Sequence, residues 1–276
     1  MLLVKISDIR MKVSIITIAY NSEASIERTI KSVLNQTYED IEYVVVDGAS
    51  KDGTLNIVKK FEPLFNGRMK WKSEPDKGIY DAMNKGVIRS TGELIGIVNS
   101  DDWLEPDAIK NVVQLAKNTK DYQQCVFCGS LRFHYKDGSQ QLMKSDEERF
   151  HEGMKRDSLN HGAFHPSMVV GSEVYHSVGV FDDHFSVIAD TDFISRCYKS
   201  GIRFVFTDAV VNNMSDGGAS NSMNLKKRIP DMVYYCKKNG FGPIKTLTKT
   251  AIYFLKLVTK SMLGEYLMRK LRARSL

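Results

Sequence analysis

Within residues 13–103 four short apolar runs, 13–20 (VSIITIAY), 41–46 (IEYVVV), 69–73 and 94–98, alternate with stretches of helical pattern. The first helix is expected over 23–36, with Ile26, Ile30, Val33 and Leu34 on its apolar face and Asn21-Ser22 as its cap. Two more are expected over 54–61 and 79–89. This order leaves few folds open. Parallel strands need a long crossover, and the crossover helices then cover both faces of the sheet. Strands buried on both faces read as near-continuous apolar runs, as these do.

Each run ends in a loop holding a residue that stability does not require: Asn21, Asp47, Glu74 with Asp76, and Asp101 with Asp102. In a parallel sheet such loops converge on one edge, where α/β proteins bind ligands. The fourth, LIGIVNSDDW over 94–103, sends a buried strand into two adjacent carboxylates, which repel each other and resist burial. Hard oxygen donors there suit Mg²⁺ or Mn²⁺, which in turn suit a diphosphate. The alternative is a solvated turn in which Asp101 or Asp102 caps a helix starting near Pro106. Neither a G-x-G-x-x-G turn nor a G-x-x-x-x-G-K-[ST] loop is present, which disfavours two common nucleotide folds.

Charge narrows the partners. The formal net charge is +6, yet residues 241–276 hold eight basic residues against the single acid Glu265, a net +7 that leaves −1 for the preceding 240. The basicity belongs to the tail, so a nucleic-acid-binding surface over the whole chain loses its support. Four cysteines without a disulfide framework fit a reducing compartment, and the lone Cys125-Val-Phe-Cys128 lacks the second pair a structural zinc site needs. Residues 1–10 are too short and too charged for a signal peptide, and no apolar run is long enough to span a bilayer. The expected location is cytoplasmic, peripheral on the inner face of the membrane.

Residues 13–54 and 74–103, read in order, resemble the start of a family 2 glycosyltransferase of the GT-A fold. The resemblance implies a Rossmann-like, mostly parallel sheet with helices on both faces. It also implies inverting transfer of a sugar, a hexose or N-acetylhexosamine, from a UDP-sugar to a glycan or lipid-linked acceptor in surface polysaccharide synthesis, assisted by Mn²⁺ or Mg²⁺. By residue, Thr17, Ala19, Tyr20 and Asn21 match the segment along the nucleotide, and Asp47 the acid that meets the base. Gly48, Ser50, Asp52, Gly53 and Thr54 match the loop shaping the pocket, and Asp76, Gly78, Ala82, Asn84 and Gly86 the next nucleotide-side segment. Asn99-Ser100-Asp101 stands at the family's Asp-x-Asp, with Asp101 as the metal ligand and Asp102 its neighbour. Two departures stand out. Asn99 replaces the first acid, and Met83 replaces an Arg near the diphosphate, a charge that Lys85 or Lys77 would supply.

Further along, a helix is expected over 106–119, a strand pair over 125–135 with a turn at 136–139, and a polar loop over 140–158. His161 and His165 lie four apart, but Pro166 and the lack of a zincin Glu favour packing or substrate contact over zinc. His165-Pro166-Ser167 resembles the family's acceptor-side segment, as does the Gly-rich run holding Gly217 and Gly218. Asp190 and Asp192 precede a helix face of Phe193, Ile194, Cys197 and Tyr198; a helix dipole favours either acid there without explaining both. The resemblance puts the general base at Asp190, with Asp192 in reserve. Strands are expected over 201–206 and 209–211, and a helix over 225–238.

The chain then divides into a catalytic domain, 1–240, and a basic amphipathic helical appendage, 241–276. In that helix Lys245, Lys249, Lys256 and Lys260 fall within roughly 60° of arc. A basic stripe on an apolar helix suits an anionic membrane surface; the alternative is a helix docked on the domain with its lysines in water. Two rival functions stay open. A sugar-nucleotide pyrophosphorylase needs a basic triphosphate loop, and residues 14–27 contain no basic residue. A non-catalytic nucleotide-sugar-binding module would account for Asn99 and Met83.

Overall fold

The structure, a computed structural model, describes residues 10–156, 161–216 and 225–262. The chain opens as strand β1 (Val13–Ala19), helix α1 (Ile26–Leu34), β2 (Ile41–Asp47), α2 (Thr54–Phe61), β3 (Met69–Ser73), α3 (Ile79–Arg89) and β4 (Leu94–Ile97). These strands form the parallel run β3-β2-β1-β4. Successive side chains of β1 serve opposite faces. Val13 and Ile15 join α1, α2 and the helix over Ala108–Lys117 in one apolar cluster, and Ile16 and Ile18 join α3 in the other. That two-sided burial is why the run reads as continuously apolar. Helix α3 lies so close to β1 that a Cβ on Gly86 would strike Ile16. The approach fixes where α3 begins, beside the ends of the strands.

The rest of the sheet is mixed. After β5 (Trp103–Leu104) and α4 (Ala108–Lys117) come β6 (Cys125–His134), β7 (Gln140–Met143), α5 (Glu147–Lys155), β8 (Met168–Gly171), α6 (Ser172–Val178), α7 (Ala189–Lys199) and β9 (Arg203–Ser215). The order β4-β8-β6-β9-β5 completes the nine-stranded sheet, with β7 hung on β6. Strand β8 runs antiparallel to both β4 and β6, β9 parallel to β6, and β5 antiparallel to β9. Helices α8 (Leu225–Lys238) and α9 (Pro243–Met262) follow.

Several boundaries differ from the sequence reading. Helix α1 starts at Ile26, and Ser25 at its N-cap makes no side-chain cap. Asn21 takes a left-handed φ of 48° and bonds across to the loop after β2. Residues 125–134 form one strand whose hairpin partner is β7, so the expected polar loop over 140–158 supplies both a strand and α5. The two expected strands over 201–211 are one thirteen-residue strand whose register shifts opposite Gly129.

Candidate active site

The four loops meet at the C-terminal edge of the parallel strands around a cleft of about 650 Å³. From the end of β1 it is lined by Ala19, Tyr20 and Asn21; from the β3–α3 loop by Asp76, Lys77 and Gly78; and from the end of β4 by Asn99, Ser100 and Asp101. Tyr20 is 61% exposed, a flat aromatic surface open to a ligand. Gly78 holds φ at 136°, a conformation other residues resist, and its N–H donates to Asp76 Oδ1 at 3.0 Å.

The loop after β2 stands behind this lining. Asp47, 1% exposed, accepts from Ser50 N (3.0 Å), Ser50 Oγ (2.5 Å) and Ser73 Oγ (2.7 Å). Ser50 Oγ in turn accepts from Asn21 N at 2.8 Å. Asp52 accepts from Glu23 N and from Thr54 N and Oγ1 at the start of α2. A Cβ on Gly48 would collide with Asp76 Oδ2. Asp47, Ser50 and Asp52 therefore set the shape of the cleft edge through bonds within the protein.

The two acids after β4 separate. Asp101 lines the cleft, and partial burial raises its carboxyl above the usual range against the pull of Arg28. Asp102, 1% exposed, turns inward to Ser215 N (3.3 Å) and Asn99 Nδ2 (3.3 Å). Burial, then the Asp101 charge, pushes Asp102 up to about 7. Neither acid caps a helix, since α4 begins at Ala108 with Asp107 in the cap position. Arg28 binds the corner together. Its guanidinium stacks 3.7 Å over Trp103 and donates to Asp101 O and Ser215 Oγ, both at 2.7 Å.

Asn99 Oδ1 is buried and has no hydrogen-bond partner, a costly arrangement for an acceptor beside a cleft. An orphan amide oxygen next to a cleft-facing carboxylate is a donor set that a hard divalent cation completes. Mn²⁺ or Mg²⁺ therefore fits Asp101 and Asn99.

Other expected donor residues lie elsewhere. Thr17 is fully buried and accepts from Tyr43 Oη at 2.9 Å. Asn84 pairs with the backbone of Phe181 through both its amide atoms (2.8 and 2.9 Å). Lys85 is held by Asp81 (2.9 Å), Glu74 and Pro75 O. Met83 is 3% exposed in the core, so its position offers no diphosphate contact. The cations that do line the cleft are Lys77 and, from α8, Lys227. Lys227 has no local signal in the sequence, because only the return of α8 to the cleft brings it there.

The far wall comes from residues 183–187, just ahead of α7. Tyr80, also lining the cleft, donates to Val187 O (2.7 Å) and more weakly to Asp190 Oδ1 (3.4 Å). Asp190 thus sits directly behind the lining and also accepts from Thr191 N at 2.8 Å. Its charge reaches two histidines. Burial lowers His161 to about 4, with Asp190 opposing and Arg149 adding to the shift. His165 packs edge-on to Phe181 at 5.3 Å, and burial lowers it too, again against Asp190. Asp192 does a different job: 1% exposed, it pairs with Arg196 (2.8 Å) and Lys238 (3.0 Å), locking α7 to α8. That division explains why the helix carries both acids. Gly217 and Gly218 lie outside the described residues. Among the described residues, Asp182, Asp183 and His184 also cluster, but Asp182 is engaged by Lys238 and Tyr234.

The model of glycosyl transferase family 2 matches residues 14–175, more than half of the chain and every strand from β1 to β8. The chain belongs to this family. The glycosyltransferase is 31% identical over 186 residues to an uncharacterized glycosyltransferase of Mycobacterium tuberculosis, covering 67% of this chain and 68% of that one. It is 29% identical over 225 residues to a PGL/p-HBAD biosynthesis glycosyltransferase of Mycobacterium bovis, covering 79% and 83%. Among solved structures, Staphylococcus aureus TarS 1-349 in complex with UDP-GlcNAc matches with a TM-score of 0.63 at 20% identity, over 82% of this chain and 66% of that chain. The Pyrobaculum calidifontis mannosyltransferase PcManGT, in complex with GDP-Man and Mn²⁺, matches at 0.60 and 19% identity, over 84% and 65%. The glycosyltransferase thus spans just under two thirds of the length of these structures, and at such identities the likeness carries the GT-A fold alone.

Proposed function

We propose that this glycosyltransferase moves a hexose or N-acetylhexosamine from a nucleotide-activated donor, a UDP-sugar, to a glycan or lipid-linked acceptor, with inversion at the anomeric carbon. The observation that carries the reading is the junction of two differently equipped walls at one cleft. Asn99, Asp101 and the Asp76–Gly78 loop form one wall, and Tyr80 with Asp190 behind it forms the other. The nucleotide complexes of TarS and PcManGT and the glycolipid-pathway name of the M. bovis relative support donor and acceptor classes of this kind.

In this mechanism the acceptor hydroxyl oxygen bonds to the anomeric carbon as the bond to the diphosphate oxygen breaks. The electron pair leaves with the nucleotide, and the hydroxyl proton passes to an Asp190 carboxylate oxygen. Tyr80 orients that carboxylate while bonding Val187 O. Lys77 and Lys227 offset negative charge along the cleft. Asp101 and Asn99 would hold the divalent cation, which when bound supplies charge neutralisation for the leaving diphosphate.

Asp101→Ala tests the donor wall. UDP affinity, measured by calorimetry, should rise on adding Mn²⁺ to the parent chain and should no longer respond in the variant. A variant that keeps the Mn²⁺ response removes Asp101 from the metal and the reading with it.

A further inference from the structure

Helix α9 turns the expected amphipathic packing inside out. Its half-buried positions are Thr246, Lys249, Thr250, Tyr253 and Leu257, a mostly polar row. Arg228 of α8 donates to Tyr253 Oη at 3.1 Å within this contact. Ile252, 54% exposed, lies toward the lysine side, and Ile244, Leu247, Phe254 and Leu255 are left 83%, 73%, 41% and 62% exposed. At 100° per residue the last four, with Ala251, fall within roughly 100° of arc on the side turned away from α8. Burying such residues on the domain would be the ordinary use of an amphipathic helix. Here the domain takes the polar row and leaves the apolar stripe outside. A stripe of this length on one helix marks an interaction surface.

Charge decides between occupants. Lys245 and Lys256, both exposed, lie along one flank of the stripe with half-buried Lys249 beside them; Lys245 and Lys249 also sit over the Phe241 ring, and α9 contains no acidic residue. A second copy seated face to face would bring its own lysine row against this one, with no carboxylate on either helix to answer it. An anionic bilayer answers both features at once, acyl chains for the stripe and phosphates for the lysines. Among the described residues no helix is long and apolar enough to cross a membrane, so α9 would lie along the surface. We propose that α9 is a membrane-docking helix that seats this glycosyltransferase on anionic phospholipid. The inference rests on the helix alone and stands apart from the transferase reading.

The test is co-sedimentation of the full chain with phosphatidylcholine vesicles, with and without one third phosphatidylglycerol. Each lysine near an anionic surface adds about fivefold in affinity, so anionic vesicles should bind at least about tenfold more tightly than neutral ones. Leu247→Glu with Phe254→Glu should abolish binding, while Ile88→Glu, at an equally exposed apolar residue on α3, should leave it unchanged. Both helix positions already face water, so thermal unfolding and UDP affinity of the double variant should match the parent chain; that affinity keeps a failure here distinct from a failure of the transferase reading. Equal binding to neutral and anionic vesicles, retained binding in the double variant, or a dimer that the double variant dissolves would each overturn the proposal.

Discussion

The parallel half of the sheet and the mixed half meet at one cleft, yet they place their side chains by different means. In β3-β2-β1-β4 each strand delivers its own loop to the edge, and those loops carry bonds of short reach, Asp47 to Ser50, Asp52 to Thr54 and Asp76 to Gly78, beside bonds between neighbouring loops such as Asn21 to Ser50 and Ser73 to Asp47. In the mixed half local bonds such as Asp190 to Thr191 and Asp192 to Arg196 are joined by distant ones. Asp190 is met by Tyr80 from α3, Asp192 by Lys238 from α8, and Asp102 by Ser215 at the end of β9. The loops after β2 and β3 hold their shape within the parallel half, whereas the Asp101 corner also leans on Ser215. The wall holding Asp190, the proposed base, depends on contacts between distant parts of the chain, so its substitutions should divide sharply into chemical and structural ones.

The largest expected effect tests that division at Asp190. Asp190→Asn keeps the size and removes the proton acceptor, so kcat should fall by about 10²–10⁴ with donor affinity nearly unchanged. A matching loss of donor affinity would assign Asp190 to the donor wall and erase the contrast. Two residues on, Asp192→Asn should do the opposite. It leaves Arg196 and Lys238 without their shared acid and should lower stability by about 3 kcal/mol in urea unfolding, near the bottom of the buried-pair range because both cations keep some contact with water. The folded variant should turn over within about tenfold of the parent; a larger loss would make Asp192 the base.

The smallest effect belongs to the parallel half and has no bearing on chemistry. Glu42 on β2 is 3% exposed; burial pushes its carboxyl up, but Lys70, Ser14 and Thr91 outweigh that and bring it to about 2, from an ordinary 4.5. The folded state therefore binds this proton later than the unfolded chain. The stabilisation is complete above pH 4.5 and drains away as pH falls toward 2. With allowance for solvent around its lysine partners, Lys70 and Lys12 (3.6 Å), the amount is about 2 kcal/mol. Glu42→Gln should flatten stability across that window; an unchanged acid limb would move the acid sensitivity to the mixed half.

The same contrast governs what could be read in advance. The strands and helices between residues 41 and 89 fall within about a residue of their expected bounds, because each carries its own apolar period and its own turn chemistry. The polar stretch 140–158 hides α5, which buries only Phe150, Gly153 and Met154 and so shows almost no apolar face. Thr207 and Asp208 look like a break, and they do fall where the register shifts, yet β9 runs on through them because β6 pairs with it on both sides. Within the site, a motif names a position and leaves the direction of its side chain open. Asp101 and Asp102 are neighbours that point oppositely, Thr17 faces the core, and Asn84 and Lys85 serve the backbone and other acids.

The pairing of β5 with β9 also bears on how the molecule comes together in time. Trp103 meets Asn213 and Leu104 meets Asn212, partners more than a hundred residues apart, whereas β1 to β2 and β2 to β3 close over fewer than thirty. Loop-closure entropy makes contacts of long sequence separation the slow ones to form. A chain emerging from its N-terminus can assemble the parallel half early, with Arg28 already on Asp101 O, but the corner carrying Asp101 is fully tied down when Ser215 arrives to meet Asp102 and Arg28. Asp101, the acid proposed to hold the metal, is therefore fastened in part by one of the last stretches of the sheet to be made.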